Sequence, residues 1–333
     1  MLPDKFKLTY RARRTRSTRS LRRLVREVHL VPDDFVAPLF IRGDTISESI
    51  SSMPGIRRYA TSEVADKARE IFRLGVPAVL LFGVPRSKDT IGSGASRADG
   101  VVQQGVKNIK KKIPELTIMS DVCLCSYTDH GHCGIISDGK VDNDRTLQSL
   151  SKIAISHAEA GVDIIAPSAM MDGQVGALRE ALDDAGFRDT GIMGYSAKIS
   201  SALYDPFREA ASSSPRFGDR NGYQMDLSNA MEAMREIRLD IKEGADIVMI
   251  KPALFYLDLI AKAKSLFDRP IAAFSVGGEY SMIKTMSSQG LLEERKMMFE
   301  LLYAIKRAGA DIIITYFAEE VARILSKEKT HRG

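Results

Sequence analysis

Two lysines and three cysteines are the residues of this 333-residue chain whose types and placement point to chemistry beyond folding. Lys198 follows the apolar run GIMGYS and Lys251 lies near the end of ADIVMIKP. Lysine is normally exposed, and an ammonium in a poorly solvated site tends to lose its proton. The neutral amine is a nucleophile. A second lysine close by lowers the pKa further by like-charge repulsion, which prepares an amine to attack a ketone and form a Schiff base. Either lysine alone reads better as a carboxylate-paired group at a rim, whereas two at adjacent strand ends favour catalysis.

Cys123, Cys125 and Cys133 are the chain's three cysteines, with His130 and His132 between them. An odd number in one short segment cannot build a paired disulfide framework. Three thiolates on a strand end and the loop after it make a tetrahedral zinc site with one position left for water or substrate, the open arrangement of a catalytic site. A closed site using a histidine and inert buried thiols are the alternatives. A third feature is the polar connection from about residue 200 to 226, with Arg208, Arg216, Arg220, Gln224, Phe207 and Phe217. It is too long for an ordinary strand-to-helix loop and reads as a lid. Arginine forks bind carboxylates in bidentate fashion, so the lid suggests an acidic substrate, with solvated surface arginines as the bland reading.

These residues need a frame to bring them together, and the sequence supplies eight strand-like apolar runs alternating with helical patterns. The runs are 35–41, 78–83, 116–122, 162–168, 191–196, 245–252, 271–277 and 310–317. Several are continuously apolar, as parallel strands covered on both faces should be. The phrases EAGVD at Glu159, KEGAD at Lys242 and RAGAD at Arg307 each end a helix at a glycine suited to a left-handed cap. No glycine-rich phosphate turn follows Ile41, which argues against a doubly wound sheet. The expected fold class is α/β, a single (β/α)8 TIM barrel with an extended N-terminal arm: residues 1–30 form the arm and 31–333 the catalytic barrel. In such a barrel the active site lies at the C-terminal strand ends. Asp121 and the cysteines, Ser168, Asp172, Lys198, Lys251 and Tyr316 all fall there.

Composition is that of a soluble protein, 44% hydrophobic and 27% charged, with no apolar run long enough to span a membrane. A cytoplasmic location is expected. The net charge of +5 is uneven, because residues 1–30 hold ten Lys and Arg against Asp4 and Glu27. Leu21, Leu24, Val25 and Val28 recur there at helical spacing, which suits an arm packed on a partner subunit at least as well as a nucleic-acid tether.

The segments DVCLCSYTDHGHCG (121–134), APSAMMDGQV (166–175), GYSAKISSALYDPFREA (194–210), FGDRNGYQ (217–224), MIKPALFYLDL (249–259), VGGEYSMIK (276–284) and RAGADIIITYF (307–317) resemble those of the porphobilinogen synthases, in the same order. The resemblance implies that Lys251 and Lys198 bind two molecules of 5-aminolevulinate, on the propionyl and acetyl sides of the product. It implies that Arg208, Arg220 and Gln224 receive the acetyl-side carboxylate and that Tyr316 helps hold the propionyl-side one. Ser168, Tyr204 and Phe207 lie in the same segments and are taken as substrate-binding. Asp121 becomes the candidate for proton handling, and the three cysteines match the zinc-dependent branch. Glu236 lies where some bacterial members carry an allosteric magnesium ligand, a solvated helix-face glutamate being the equal alternative. The arm resembles one that supports homo-octamers or hexamers, so neither nucleic acid nor membrane is expected as a partner.

One departure stands out. Gly277 replaces a family serine whose hydroxyl helps bind the propionyl-side carboxylate, and Ser275, taken to lie on the same strand face two residues earlier, is the expected substitute. Two rival readings remain: a Schiff-base aldolase, which leaves the second lysine and the cysteines unexplained, and a zinc-stabilised nucleic-acid-binding protein using the arginine-rich arm.

Overall fold

The computed structural model describes residues 9–330; residues 1–8 of the arm and 331–333 lie outside the described residues. Eight parallel strands close on themselves: β1 (Phe35–Arg42), β2 (Ala78–Val84), β3 (Thr117–Val122), β4 (Ile164–Pro167), β5 (Gly191–Lys198), β6 (Ile247–Lys251), β7 (Ile271–Ser275) and β8 (Ile312–Thr315). Each pairs with the next, and Phe35 and Val36 of β1 meet Ile313 and Ile314 of β8 to complete the circle. This is the expected (β/α)8 barrel. The strands are buried because helices cover them outside and side chains fill them inside. Every residue of β2 and β7 is buried, which explains why those runs are apolar without alternation.

The three glycine phrases do what their sequence demands. Gly161, Gly244 and Gly309 cap the helices Asn143–Ala160, Ala230–Glu243 and Glu294–Ala308 with φ of 103°, 105° and 116°, where a Cβ would be strained. The aspartate two residues after each glycine has a second role. Asp163, Asp246 and Asp311 accept the backbone N–H of Ile118, Ile192 and Ile271, at 2.7, 2.8 and 2.9 Å. Each carboxylate therefore ties the start of β4, β6 or β8 to that of the strand before it, at the end of the barrel opposite the lysines.

Two strand boundaries differ from expectation in ways that matter for the site. β5 runs on through Lys198, and its register against β6 shifts: Gly194 faces Val248, but Ala197 faces Ile250 and Lys198 faces Lys251. β5 thus spends three residues where β6 spends two, a β-bulge. β7 stops at Ser275, and Gly277 is the first residue of the helix Gly277–Ser288. The strand periodicity used to place Ser275 and Gly277 on one face therefore ends between them, so the geometric premise for that substitution is corrected.

The 200–226 segment is a structured excursion. It holds a short turn at Ala202–Tyr204 and a helix at Asp205–Ala210, and its ends are tied by Met225 N to Lys198 O (3.1 Å) and Ser200 N to Met225 O (2.8 Å). In the arm, the helix Arg19–Leu24 is capped by the Thr18 hydroxyl, which accepts from Leu21 N, while Leu24 stays 80% exposed.

Candidate active site

Lys198 and Lys251 are register partners on neighbouring parallel strands, so both side chains leave the same face of the sheet about 4.8 Å apart at the backbone. Both are buried. The Lys198 ammonium donates to the carbonyl of Ser168 at 2.5 Å. The Lys251 nitrogen sits among four rings, 4.3 Å from the centroid of Phe274, 4.7 Å from Phe207, 5.1 Å from Tyr195 and 5.3 Å from Tyr204. Burial, and then the charge of Lys198, push its pKa down to about 7, against the pull of Asp121 and Cys125. That is the pairing of a desolvated amine with a like charge anticipated from the sequence.

Asp121, at the end of β3, is partly exposed beside them. Poor solvation and the neighbouring Cys125 push its carboxyl up to about 6, while a hydrogen bond from Ser168 and the two lysines hold it down. Asp121, Cys125, Ser168, Lys198, Tyr204, Phe207, Arg220 and Lys251 line one tight cavity of about 10 Å³. Tyr204 donates to the Lys251 carbonyl at 3.0 Å, and Phe207 packs edge-on against Phe82 at 5.0 Å.

All three cysteines are free and buried, with Cys123 and Cys125 sulfurs 3.4 Å apart. Among the described residues they are the one group of three or more His, Cys, Asp or Glu side chains whose ligand atoms lie within 4.8 Å of one another. Zinc–sulfur bonds of about 2.3 Å in a tetrahedron put sulfurs roughly 3.8 Å apart, so the set fits zinc with little adjustment. Hydrogen bonding among the thiols, led by Cys125, pushes Cys123 well up, and hydrogen bonds from Cys123 and Cys125 push Cys133 well down. Beside them lies Arg220, whose buried guanidinium donates to Gly131 O (2.9 Å) and Ser213 O (2.5 Å). Desolvation works against its charge, but the sulfurs of Cys133 and Cys125 outweigh it and raise the pKa.

The lid is wired to the cysteine loop. His132 Nδ1 meets the Tyr223 hydroxyl at 3.1 Å and its Nε2 the Phe217 carbonyl at 2.9 Å; since that carbonyl can only accept, Nε2 carries the proton. Arg216 N donates to His130 O at 3.0 Å. At Gly131, with φ 74°, a Cβ would come within 2.2 Å of the Ser214 carbonyl, so this contact between loop and lid needs glycine.

Several buried polar atoms of this region lack a hydrogen-bond partner: both amide atoms of Gln224, the hydroxyls of Tyr316, Tyr195 and Ser275, and Nε of Arg208 and Arg220. Buried polar groups are normally paired, so such a cluster is what a site built for a polar ligand leaves behind. Arg208 is otherwise paired with Asp205 at 2.8 Å. Tyr195, Phe274 and Glu279 escaped the sequence reading. Glu279 is fully buried, and its Oε1 accepts from Ala253 N and Leu254 N at 3.0 Å, just after Lys251. A glutamate at the start of a helix looks like an ordinary dipole-matched residue, so nothing in the sequence distinguished it.

Glu236 lies apart, on the helix Ala230–Glu243. With Asp172, Glu232, Asp240 and Glu243 it lines a larger cavity of about 960 Å³ that also reaches His132, Tyr195 and Gln224, and burial followed by Asp172 and Glu232 pushes its carboxyl up. These acids share a space without converging to ligand spacing.

A family model described as delta-aminolevulinic acid dehydratase matches residues 9–324. Proteins named delta-aminolevulinic acid dehydratase are similar along nearly the whole chain: one from Synechococcus elongatus is 50% identical over 96% of this chain and 99% of its own, and one from Bacillus subtilis 45% identical over 95% and 98%. The crystal structure of the delta-aminolevulinic acid dehydratase (porphobilinogen synthase) of Toxoplasma gondii ME49, in complex with the reaction product porphobilinogen, superposes with a TM-score of 0.93 at 38% identity, covering 95% of this chain and 92% of that one.

Proposed function

The chain belongs to the delta-aminolevulinic acid dehydratase family and condenses two molecules of 5-aminolevulinate into porphobilinogen, and we propose that Lys198 and Lys251 carry the two substrates as Schiff bases. The observation that carries this reading is the register pairing of two buried lysines, one with its pKa pushed to about 7. Each amine adds to the ketone of one 5-aminolevulinate and loses water. An enamine carbon of one substrate then bonds to the imine carbon of the other, a substrate amine closes the ring on the remaining imine carbon, and both lysine amines leave as a ring proton is lost, so the two waters released overall are those of imine formation; by reaction type this is a hydro-lyase.

The protein's contribution is to hold two identical molecules in different orientations, which turns an improbable encounter into a positioned one. Asp121, with a pKa near 6 beside both amines, is suited to take and return the protons these steps exchange. The unpaired groups of Arg208, Arg220 and Gln224 are suited to one substrate carboxylate, and the Tyr316 hydroxyl to the other. Ser275 brings a further unpaired hydroxyl, whereas a side chain at Gly277 would crowd Met53 and Pro206 at 3.2–3.3 Å. Ser168, Tyr204 and Phe207 keep the lysines in place through the contacts described above.

Cys123, Cys125 and Cys133 would hold zinc, which when bound polarises a substrate oxygen or activates a water. Magnesium at Glu236 would have to draw the surrounding carboxylates together. The exposed apolar face of the arm supports assembly into a homo-oligomer, octamer or hexamer, and no helix among the described residues is long and apolar enough to cross a membrane. A cytoplasmic location accords with the free thiols.

Borohydride reduction in the presence of 5-aminolevulinate, followed by peptide mapping, tests the reading. Adducts are expected on Lys198 and Lys251, and porphobilinogen formation is expected to vanish on chelation and return with zinc. Adducts on neither lysine would overturn the two-lysine mechanism, and activity indifferent to chelation would remove the metal from it.

A further inference from the structure

The aromatic surroundings of the two amines are unequal. Phe274, Phe207 and Tyr204 lie against Lys251 alone, but the Tyr195 ring lies against both, 5.1 Å from the Lys251 nitrogen and 5.7 Å from that of Lys198. Tyr195 reaches this position through the bulge in β5. Residues three apart on a regular strand point to opposite faces, and the extra residue between Gly194 and Ala197 lets Tyr195 and Lys198 share the barrel interior. The tyrosine is fully buried.

An imine on either lysine is electrophilic when protonated, so each nitrogen must bear positive charge in a place that excludes water. A carboxylate paired to each would supply that stability, yet it would also hold the free amine as ammonium and block the first attack. Asp121 lines the cavity together with both lysines, so a single carboxylate there would serve two amines. The negative face of an aromatic ring is the intermediate choice: it favours a cation modestly, does not titrate, and costs the amine little of its basicity shift.

We propose that Tyr195 is a catalytic residue whose ring face stabilises the protonated imine on whichever of the two lysines carries it. This rests on the two-lysine reading above. A ring contact of this kind is worth between about twofold and thirtyfold in the population of the cation.

The test keeps the shape of the side chain and changes its electrons. Tyr195→Phe is followed by mono-, di- and trifluorinated phenylalanine at the same position, which drain the negative face of the ring step by step. The expected result is a fall of about tenfold across the series in the borohydride-trapped imine formed with a 4-keto acid lacking the amino group. A parallel fall in kcat, log-linear in fluorine number, is expected with an unchanged melting temperature. A merely packing role would leave both readouts flat along the series, and a flat series overturns the proposal. Failure of the underlying reading looks different, because the unsubstituted protein would then trap no adduct on either lysine.

Discussion

At the scale of single residues, the proposal that Lys251 is a nucleophile with Asp121 beside it makes pKa values near 7 and 6 the expected origin of the pH dependence. The amine must be neutral to attack, so kcat/KM should rise tenfold per pH unit up to about 7 and level off above it, where Lys251 has lost its proton. Below about 6 the fall should steepen as Asp121 becomes protonated, the two steps belonging to the coupled cluster. A pH–rate profile checks this, and a profile flat between pH 5 and 8 would remove Lys251 as the nucleophile. The lysines were legible in the sequence because an ammonium is costly where the apolar runs place it, and the cysteines because all three fall in one short segment. Tyr195 was not, since a tyrosine within an apolar run reads as core until the register shift that turns it inward is known. The place of Gly277 was not legible for a related reason: strand periodicity does not extend past Val276, where the backbone already caps a helix.

At the scale of elements, the glycine caps and the aspartates behind them divide the barrel into a fastened end and a reactive end. Asp246 accepts from Ile192 N and, among the described residues, forms no ion pair, whereas Asp163 and Asp311 also bind Lys110 and Lys264. Asp246→Ala should therefore leave a partly buried N–H unpaired and lower stability by about 1–3 kcal/mol, read by urea unfolding. The kcat should stay unchanged, because the carboxylate lies at the opposite end of β6 from Lys251. A loss of kcat with unaltered stability would contradict this division. Eight strands were readable from apolar runs punctuated by glycine, yet the bulge in β5 was not, because its signal is one surplus residue rather than a residue type.

At the scale of the whole molecule, the arm is the part whose structure the chain alone does not account for. Leu24 and Val25 are exposed, while Arg26 donates to the Tyr303 hydroxyl at 3.0 Å and Leu30 is buried in the core. Deletion of residues 1–28 should shift the sedimentation profile to smaller species while leaving the barrel's melting temperature within a few degrees. An unchanged profile would assign the arm another role. The lid has the opposite character. Its closing bond runs from Met225 N to the carbonyl of Lys198, while Ile199 N and the Tyr204 hydroxyl both bind the carbonyl of Lys251. The peptide groups of the two lysines thus also anchor both ends of the lid segment, so a change in the path of that segment is felt directly at the backbone that holds the two amines.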